Sequence, residues 1–87
     1  MDSKTVDELC ARSWNLAHFD HDLERNGQVA VYEGGNADWF VLVCTITEGK
    51  ERDCTATASH PRRGIVEVLP KADAVRLRNA AEKYCKT

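Results

Sequence analysis

Apolar and small residues near the amino terminus recur at the spacing of one helix face. The positions of this stripe are Val6, Leu9, Cys10, Ser13, Trp14 and Ala17. Intervals of three and four residues are the period of an amphipathic helix. Thr5 and Glu8 have the spacing of a capping box, and Asn26-Gly27 is a helix-stop signal. The pattern therefore predicts a first helix over residues 5–24.

The middle of the chain has the pattern of short strands between turns. Residues 28–33, 39–47, 52–59 and 65–69 are β-branched, aromatic or alternating, and Gly, Asn or Pro separate most of them. Pro70 suits the first turn of a second helix, predicted over residues 71–85. We predict one α+β domain spanning residues 1–87, an antiparallel β-meander of three to four strands flanked by an N-terminal and a C-terminal helix.

The strand at residues 39–47 is apolar on both faces. One face carries Phe40, Leu42, Cys44 and Ile46. The small residues Cys54, Ala56 and Ala58 are expected beside them, where they would let helices approach closely. If both helices cover that face, Trp39, Val41 and Val43 form an exposed patch that binds a partner. If one helix covers each face, the same residues are core, and periodicity does not decide between the two arrangements.

The cysteines and the amino terminus bear on the compartment. Cysteines stand at positions 10, 44, 54 and 85, without the close pairs of a zinc ribbon or a redox dithiol. No secretory signal opens the sequence, and the apolar run at residues 39–44 is too short to span a bilayer. We expect a cytoplasmic protein with reduced thiols and no cofactor, in which Cys44 and Cys54 are the closest candidates for a cross-strand pair.

The residues with reactive or metal-ligating side chains form no recognised catalytic motif. The glycines match no nucleotide-binding loop, and no nucleophile signature surrounds Ser59. No family signature surrounds any of the cysteines, and nothing in the sequence brings one of them together with His60. We therefore expect no enzymatic activity. His18 and His21 would share a face of the predicted helix, so metal binding is a distant alternative, weaker than a solvated helix end.

Charge is distributed unevenly along the chain. Residues 1–59 carry five basic and eleven acidic side chains, a balance of −6, whereas residues 60–87 carry seven basic and three acidic, a balance of +4. The basic residues Arg62, Arg63, Arg76 and Lys83 suggest nucleic-acid binding as an alternative function. In its order of elements this portion looks loosely like a double-stranded-RNA-binding domain, although residues 70–73 replace that family's lysine-rich run.

The acidic portion favours a different kind of partner. Its candidate contact residues are Asp20, Asp22, Glu24, Glu33 and Asp38. These carboxylates could oppose a basic protein surface and imitate phosphates. In size and charge the chain is similar to small regulators of phages and mobile elements, including anti-CRISPR proteins. We therefore expect a non-catalytic protein-binding regulator or stoichiometric inhibitor, with an unidentified protein or a second copy of the chain as its partner, and with no membrane association.

Overall fold

The computed structural model describes residues 1–24 and 26–86, apart from the side chains of residues 22 and 86. The elements are α1 (Ser3–Cys10), β1 (Trp14–Asp22), β2 (Gly27–Gly35), β3 (Phe40–Glu48), β4 (Glu51–His60), β5 (Ile65–Val68), α2 (Lys71–Tyr84) and β6 (Cys85–Lys86). They form one sheet in the order β5-β4-β3-β2-β1-β6. Strands β1 to β5 pair antiparallel, and the short β6 pairs parallel with β1. The predicted α+β fold is confirmed.

The first helix is much shorter than predicted. It ends at Cys10, and residues 14–22 form strand β1. A β-bulge between Leu16 and His18 shifts the register of β1 against β2, so residues on one face do not alternate strictly. Across the bulge, Leu16 and Phe19 lie on the same face three residues apart, an interval that also occurs on a helix face. The helix is also capped one turn earlier than expected, because the Asp2 carboxylate accepts the Thr5 backbone N–H at 2.8 Å.

Helix α2 agrees with the sequence-based prediction, and it packs on the same side of the sheet as α1. Leu77 and Ala81 of α2 and Leu9 of α1 belong to one core with residues of β3 and β4. The strand residues beneath the helices are mostly small or β-branched: Ala30, Val41, Val43, Thr45, Cys54, Ala56 and Ala58. We call this side of the sheet the helix face. Its small side chains allow the helix backbones to approach closely.

The expected exposure of Trp39, Val41 and Val43 is wrong. Val41 and Val43 are 0% exposed beneath the helices, and Trp39 is half-buried with its ring edge-on to His60 at 5.1 Å. The reason is the β3–β4 register, in which Val43 lies opposite Ala56. The small residues of β4 therefore share a face with the odd-numbered residues of β3, not with Phe40 as predicted.

Among the described residues, no helix has both the length and the apolar composition needed to cross a membrane.

Candidate functional site: the open face of the sheet

The sheet face opposite the helices carries two groups of apolar residues, one on β2 and β3 and one on β5. Residues paired directly across antiparallel strands point to the same side. The apolar members, from β2, β3 and β5, are Val29, Val31, Phe40, Leu42, Cys44, Ile46, Val66 and Val68. Thr55 and Thr57 of β4 lie between β3 and β5 on this side. We call this side the open face.

Large side chains on the open face remain accessible to water. The exposed fraction is 45% for Phe40, 38% for Leu42 and 42% for Ile46. At the edge strand β5, Val66 and Val68 are 71% and 78% exposed. Isolated apolar residues are ordinary on protein surfaces, but a contiguous group such as the one on β2 and β3 usually marks a binding surface.

The ionisable side chains of the open face are unevenly placed. Glu48, Glu51 and Asp53 cluster where β3 meets β4 in the Glu48↔Glu51 hairpin, which we call the acidic end. Lys71 approaches Asp53 to 3.9 Å, and both side chains are largely exposed. At the other end of β4, Arg62 and Arg63 lie exposed in the turn to β5, which we call the basic turn. Exposed Lys50 lies in the turn of the acidic end, and exposed Asp38 lies at the same end of the sheet as the basic turn, so both ends carry charges of both signs.

The predicted acidic contact residues lie in several places. Asp20 of β1 and Glu33 of β2 are on the open face, paired with Val29 and Leu42. Glu24 is exposed in the β1–β2 turn, and Asp38 is exposed in the β2–β3 turn. The side chain of residue 22 lies outside the described part of the chain. The described carboxylates thus surround the apolar surface from more than one end of the sheet.

The predicted basic residues lie in two separate elements. Arg76 of α2 forms an ion pair with Asp7 of α1, and the hydrogen bond from Arg76 to Asp7 raises the pKa of the guanidinium. The Lys83 ammonium lies 5.3 Å from the centre of the Tyr84 ring. Arg62 and Arg63 belong to the basic turn instead. One of the four cations is therefore already engaged by a carboxylate.

The predicted shared face for His18 and His21 is wrong, because both residues are in a strand. His18 pairs with Val31 on the open face, whereas His21 pairs with Gln28 on the helix face. Within residues 1–24 and 26–86, no group of three or more His, Cys, Asp or Glu side chains could hold a metal ion. The two imidazoles point to opposite sides of the sheet and cannot ligate one ion together.

The cysteines are divided between the two faces. Cys44 lies opposite Thr55 on the open face, whereas Cys54 lies opposite Thr45 on the helix face. The expected cross-strand neighbourhood of Cys44 and Cys54 is therefore wrong. The Cys54 Sγ donates to the Ala74 carbonyl oxygen at 3.2 Å, and burial raises the pKa of the Cys54 thiol. Cys44 is half-buried, which leaves its thiol partly accessible.

A shallow cleft borders the open face at the β2–β3 turn. Its volume is ≈ 350 Å³, and Glu33, Asn36, Trp39 and Phe40 are among its lining residues. The Asn36 side-chain oxygen accepts the backbone N–H groups of Asp38 and Trp39 at 2.9 and 2.8 Å, which shapes this turn. Because Glu33 and Phe40 also lie on the open face, the cleft extends that surface with polar groups.

The chain matches no protein-family model, no curated protein and no solved structure.

Sequence reasoning missed the open face because it placed the even-numbered residues of β3 on the same face as Cys54, Ala56 and Ala58. A signal for the correct pairing of β3 with β4 was present in the sequence. Gly49 and Lys50 form a two-residue turn between Glu48 and Glu51, and Gly49 has a φ of 59°. A turn of that length pairs even-numbered residues of β3 with odd-numbered residues of β4.

Proposed function

We propose that this protein is a non-catalytic binding module that acts by docking another protein on its open face, in the manner of a regulator or stoichiometric inhibitor. The observation that carries the proposal is the uncovered apolar surface of β3 and β5. Both helices lie on the other side of the sheet, and Leu42, Ile46 and Val68 remain 38%, 42% and 78% exposed. Covering such side chains is favourable because apolar area leaves water.

The free energy gained by burying the exposed apolar side chains supports binding to a partner. Full burial of a Leu, Ile, Val or Phe side chain contributes about 1.5–3 kcal/mol, so burying the remaining exposed part of each contributes about 1 kcal/mol. Five such side chains (Phe40, Leu42, Ile46, Val66 and Val68) are exposed on this surface. Their combined contribution of about 5 kcal/mol must exceed the entropy lost on association, so the polar groups around the patch have to be matched as well.

The charges on the open face favour a protein over a nucleic acid. Five described carboxylates point to this side: Asp20, Glu33, Glu48, Glu51 and Asp53. Within strands β1 to β5, none of the described residues pointing to this side is Lys or Arg. Phosphate groups would be repelled here, because nucleic-acid affinity depends on clustered cations. A protein surface with an apolar centre and basic residues around it is complementary.

Neighbouring residues of β3 provide the test of the docking surface. Leu42→Lys places a charge on the open face, where it should leave the fold intact and abolish binding. Val41→Lys places the same charge at a position that is 0% exposed, so it should unfold the domain. Ala72→Lys, at an exposed position of α2, is the matched control that should bind like the wild type.

The experiment starts with capture of proteins from an extract of the source cells by the wild type and the variants. A protein recovered with the wild type and Ala72→Lys is purified and titrated against the chain by calorimetry. We expect a 1:1 complex that Leu42→Lys weakens by at least about tenfold, equivalent to 1.4 kcal/mol. The proposal fails if Leu42→Lys is folded and every protein complex of the chain, including self-association, is unchanged. Binding only to nucleic acid would also overturn it.

A further inference from the structure

We infer that the outer edge of β1 accepts an extended segment of a partner protein, which adds to the sheet as a further strand beyond β6. This inference concerns a surface other than the open face and goes beyond the proposed function. Strand β1 runs over Trp14–Asp22, and on its outer side the short β6 pairs with Trp14 and Asn15. Within the described part of the chain, residues 16–22 of β1 pair with β2 on one side and have an unpaired edge on the other.

The side chains of β1 are exposed on both faces of the sheet. Every side chain from Asn15 to His21 is exposed, whereas β2, β3 and β4 each contain residues buried beneath the helices. Leu16 and Phe19 point to the helix face, yet they remain 39% and 54% exposed because the two helices do not cover them. A strand that is open on both faces and along its edge offers apolar area that an added strand would remove from water.

The unpaired edge also offers main-chain hydrogen-bonding groups. Alternate residues of an edge strand direct their N–H and C=O groups away from the sheet. The bulge of β1 lies between Leu16 and His18, close to β6, and from His18 to Asp22 every residue has a regular partner in β2. Residues 16–22 contain no Lys and no Pro, which are the residues most typical of a protected edge. The regular part of β1 is therefore a template for strand addition.

Strand β6 shows how an extended segment occupies this edge. It follows α2 directly, consists of Cys85–Lys86, and pairs parallel with the first two residues of β1. The chain thus already adds a strand to the edge, and most of the length of β1 beyond it is free of described strand partners. A partner segment that continues along the edge extends an existing contact of the fold.

The other edge of the sheet is less suited to strand addition. Strand β5 has only four residues, Ile65–Val68. Pro61 and Pro70 stand close to its two ends in the sequence. Short edge strands and prolines are the features by which proteins avoid pairing at an edge. The comparison favours β1 as the edge that receives a partner.

The two sides of β1 indicate the chemistry of the added strand. Residues placed directly across a pair of strands point to the same side of the sheet. Residues of the added strand beside Phe19 lie on the helix-face side, where apolar side chains cover its exposed ring. Residues beside Asp20 lie on the open-face side, where a basic or hydroxyl side chain suits the carboxylate. The segment therefore alternates between apolar and polar or basic residues.

A synthetic peptide tests strand addition directly. The probe has eight residues, with valine at every second position and lysine or threonine between them, and its control has the same composition with the valines grouped together. In a nuclear magnetic resonance titration of the labelled chain, we expect saturable binding of the alternating peptide and slower hydrogen exchange of amides in residues 16–22. The control should bind at least about tenfold more weakly. Binding that is not saturable up to about 1 mM peptide, or amide protection confined to β5, overturns the inference.

Backbone methylation separates main-chain pairing from side-chain adhesion. Neighbouring residues of a strand direct their N–H groups to opposite edges, and an added strand pairs through one edge only. One peptide is methylated at the backbone nitrogens of its valines and a second at those of its lysines and threonines. We expect one of the two to bind at least about tenfold more weakly than the other. Equal binding of the two methylated peptides overturns the inference.

Variants of the chain locate the site. Phe19→Lys should weaken binding of the alternating peptide at least about tenfold, because it replaces an apolar contact by a charge of the same sign as the peptide. Leu42→Lys on the open face and Val66→Lys on β5 add the same charge at exposed positions and should bind the peptide like the wild type. If circular dichroism shows that Phe19→Lys is unfolded, Asp20→Lys takes its place with the same expected loss. A loss in either control equal to that in the β1 variant overturns the inference, whereas the proposed function is decided separately by the protein complexes of Leu42→Lys.

Discussion

The contact between Gly34 and Trp14 sets a sharp limit on substitution in β2. Gly34 lies in register with Val41 on the helix face, beneath the indole of Trp14. A Cβ added to Gly34 would lie 2.6 Å from Trp14 Cε3 and 2.7 Å from Cδ2. Trp14 is 0% exposed, and its Nε1 donates to the Leu9 carbonyl oxygen at 3.3 Å. The indole has little freedom to move, so Gly34→Ala must displace packed core atoms.

The expected magnitude follows from two opposing effects. Overpacking a core typically costs about 1–3 kcal/mol. Alanine is favoured over glycine in the interior of a strand by roughly 0.5–1 kcal/mol. Because the added Cβ would lie under 3 Å from a buried ring, the overpacking cost should fall in the upper part of its range, about 2–3 kcal/mol, and we expect Gly34→Ala to lower the free energy of unfolding by about 1–2 kcal/mol. In a domain of this size that lowers the Tm by roughly 4–16 °C, because each kcal/mol corresponds to about 4–8 °C.

The assay is urea unfolding followed by circular dichroism, in the wild type and in a Trp14→Phe background. The smaller ring should relieve the contact, so Gly34→Ala should cost at least about 1 kcal/mol less in that background, as contacting residues usually couple. Gly64→Ala is the matched control, because Gly64 has a φ of 64° and a Cβ there would meet nothing within 4 Å. Its cost should be equal in both backgrounds. An unchanged midpoint for Gly34→Ala at constant m-value would refute the reasoning.

Further predictions concern the core, the thiols and the first helix. Leu77→Ala should lower the free energy of unfolding by about 2–5 kcal/mol in urea, because Leu77 is 0% exposed and its removal leaves a cavity. In native protein Cys54 should react with a maleimide more slowly than Cys44, since its thiol is buried and has a raised pKa, and mass spectrometry of the alkylated peptides will show the order. The pKa of Asp2 is lowered from its ordinary value of 3.8 by hydrogen bonds from Thr5. Its stabilising effect should thus be present above pH 3.8 and lost as the pH falls through the folded-state pKa, whereas Asp2→Ala should lack this dependence in acid titrations of stability.

Much of the secondary structure follows from local sequence patterns. Helix α2 forms over Lys71–Tyr84, close to the predicted 71–85, because proline stands before it and apolar residues recur on one side. Strands β2 to β5 also agree with the alternating segments between turn residues. Strand β1 could not be recognised in this way. Its bulge between Leu16 and His18 breaks the two-residue period, and pairing with β2 decides its conformation.

The sequence by itself determined an α+β domain and a strand, β3, whose two sides are both apolar. Only the tertiary structure decided which of those sides became the core. The two-residue turn at Gly49 and Lys50 sets the β3–β4 register, which places Ala56 and Ala58 beneath the helices with Val41 and Val43. A shift of one residue would turn Leu42 inward and Val41 outward, because side chains alternate between the faces of a strand. Helix placement depends on these long-range contacts, which the local spacing of apolar residues along the chain does not predict.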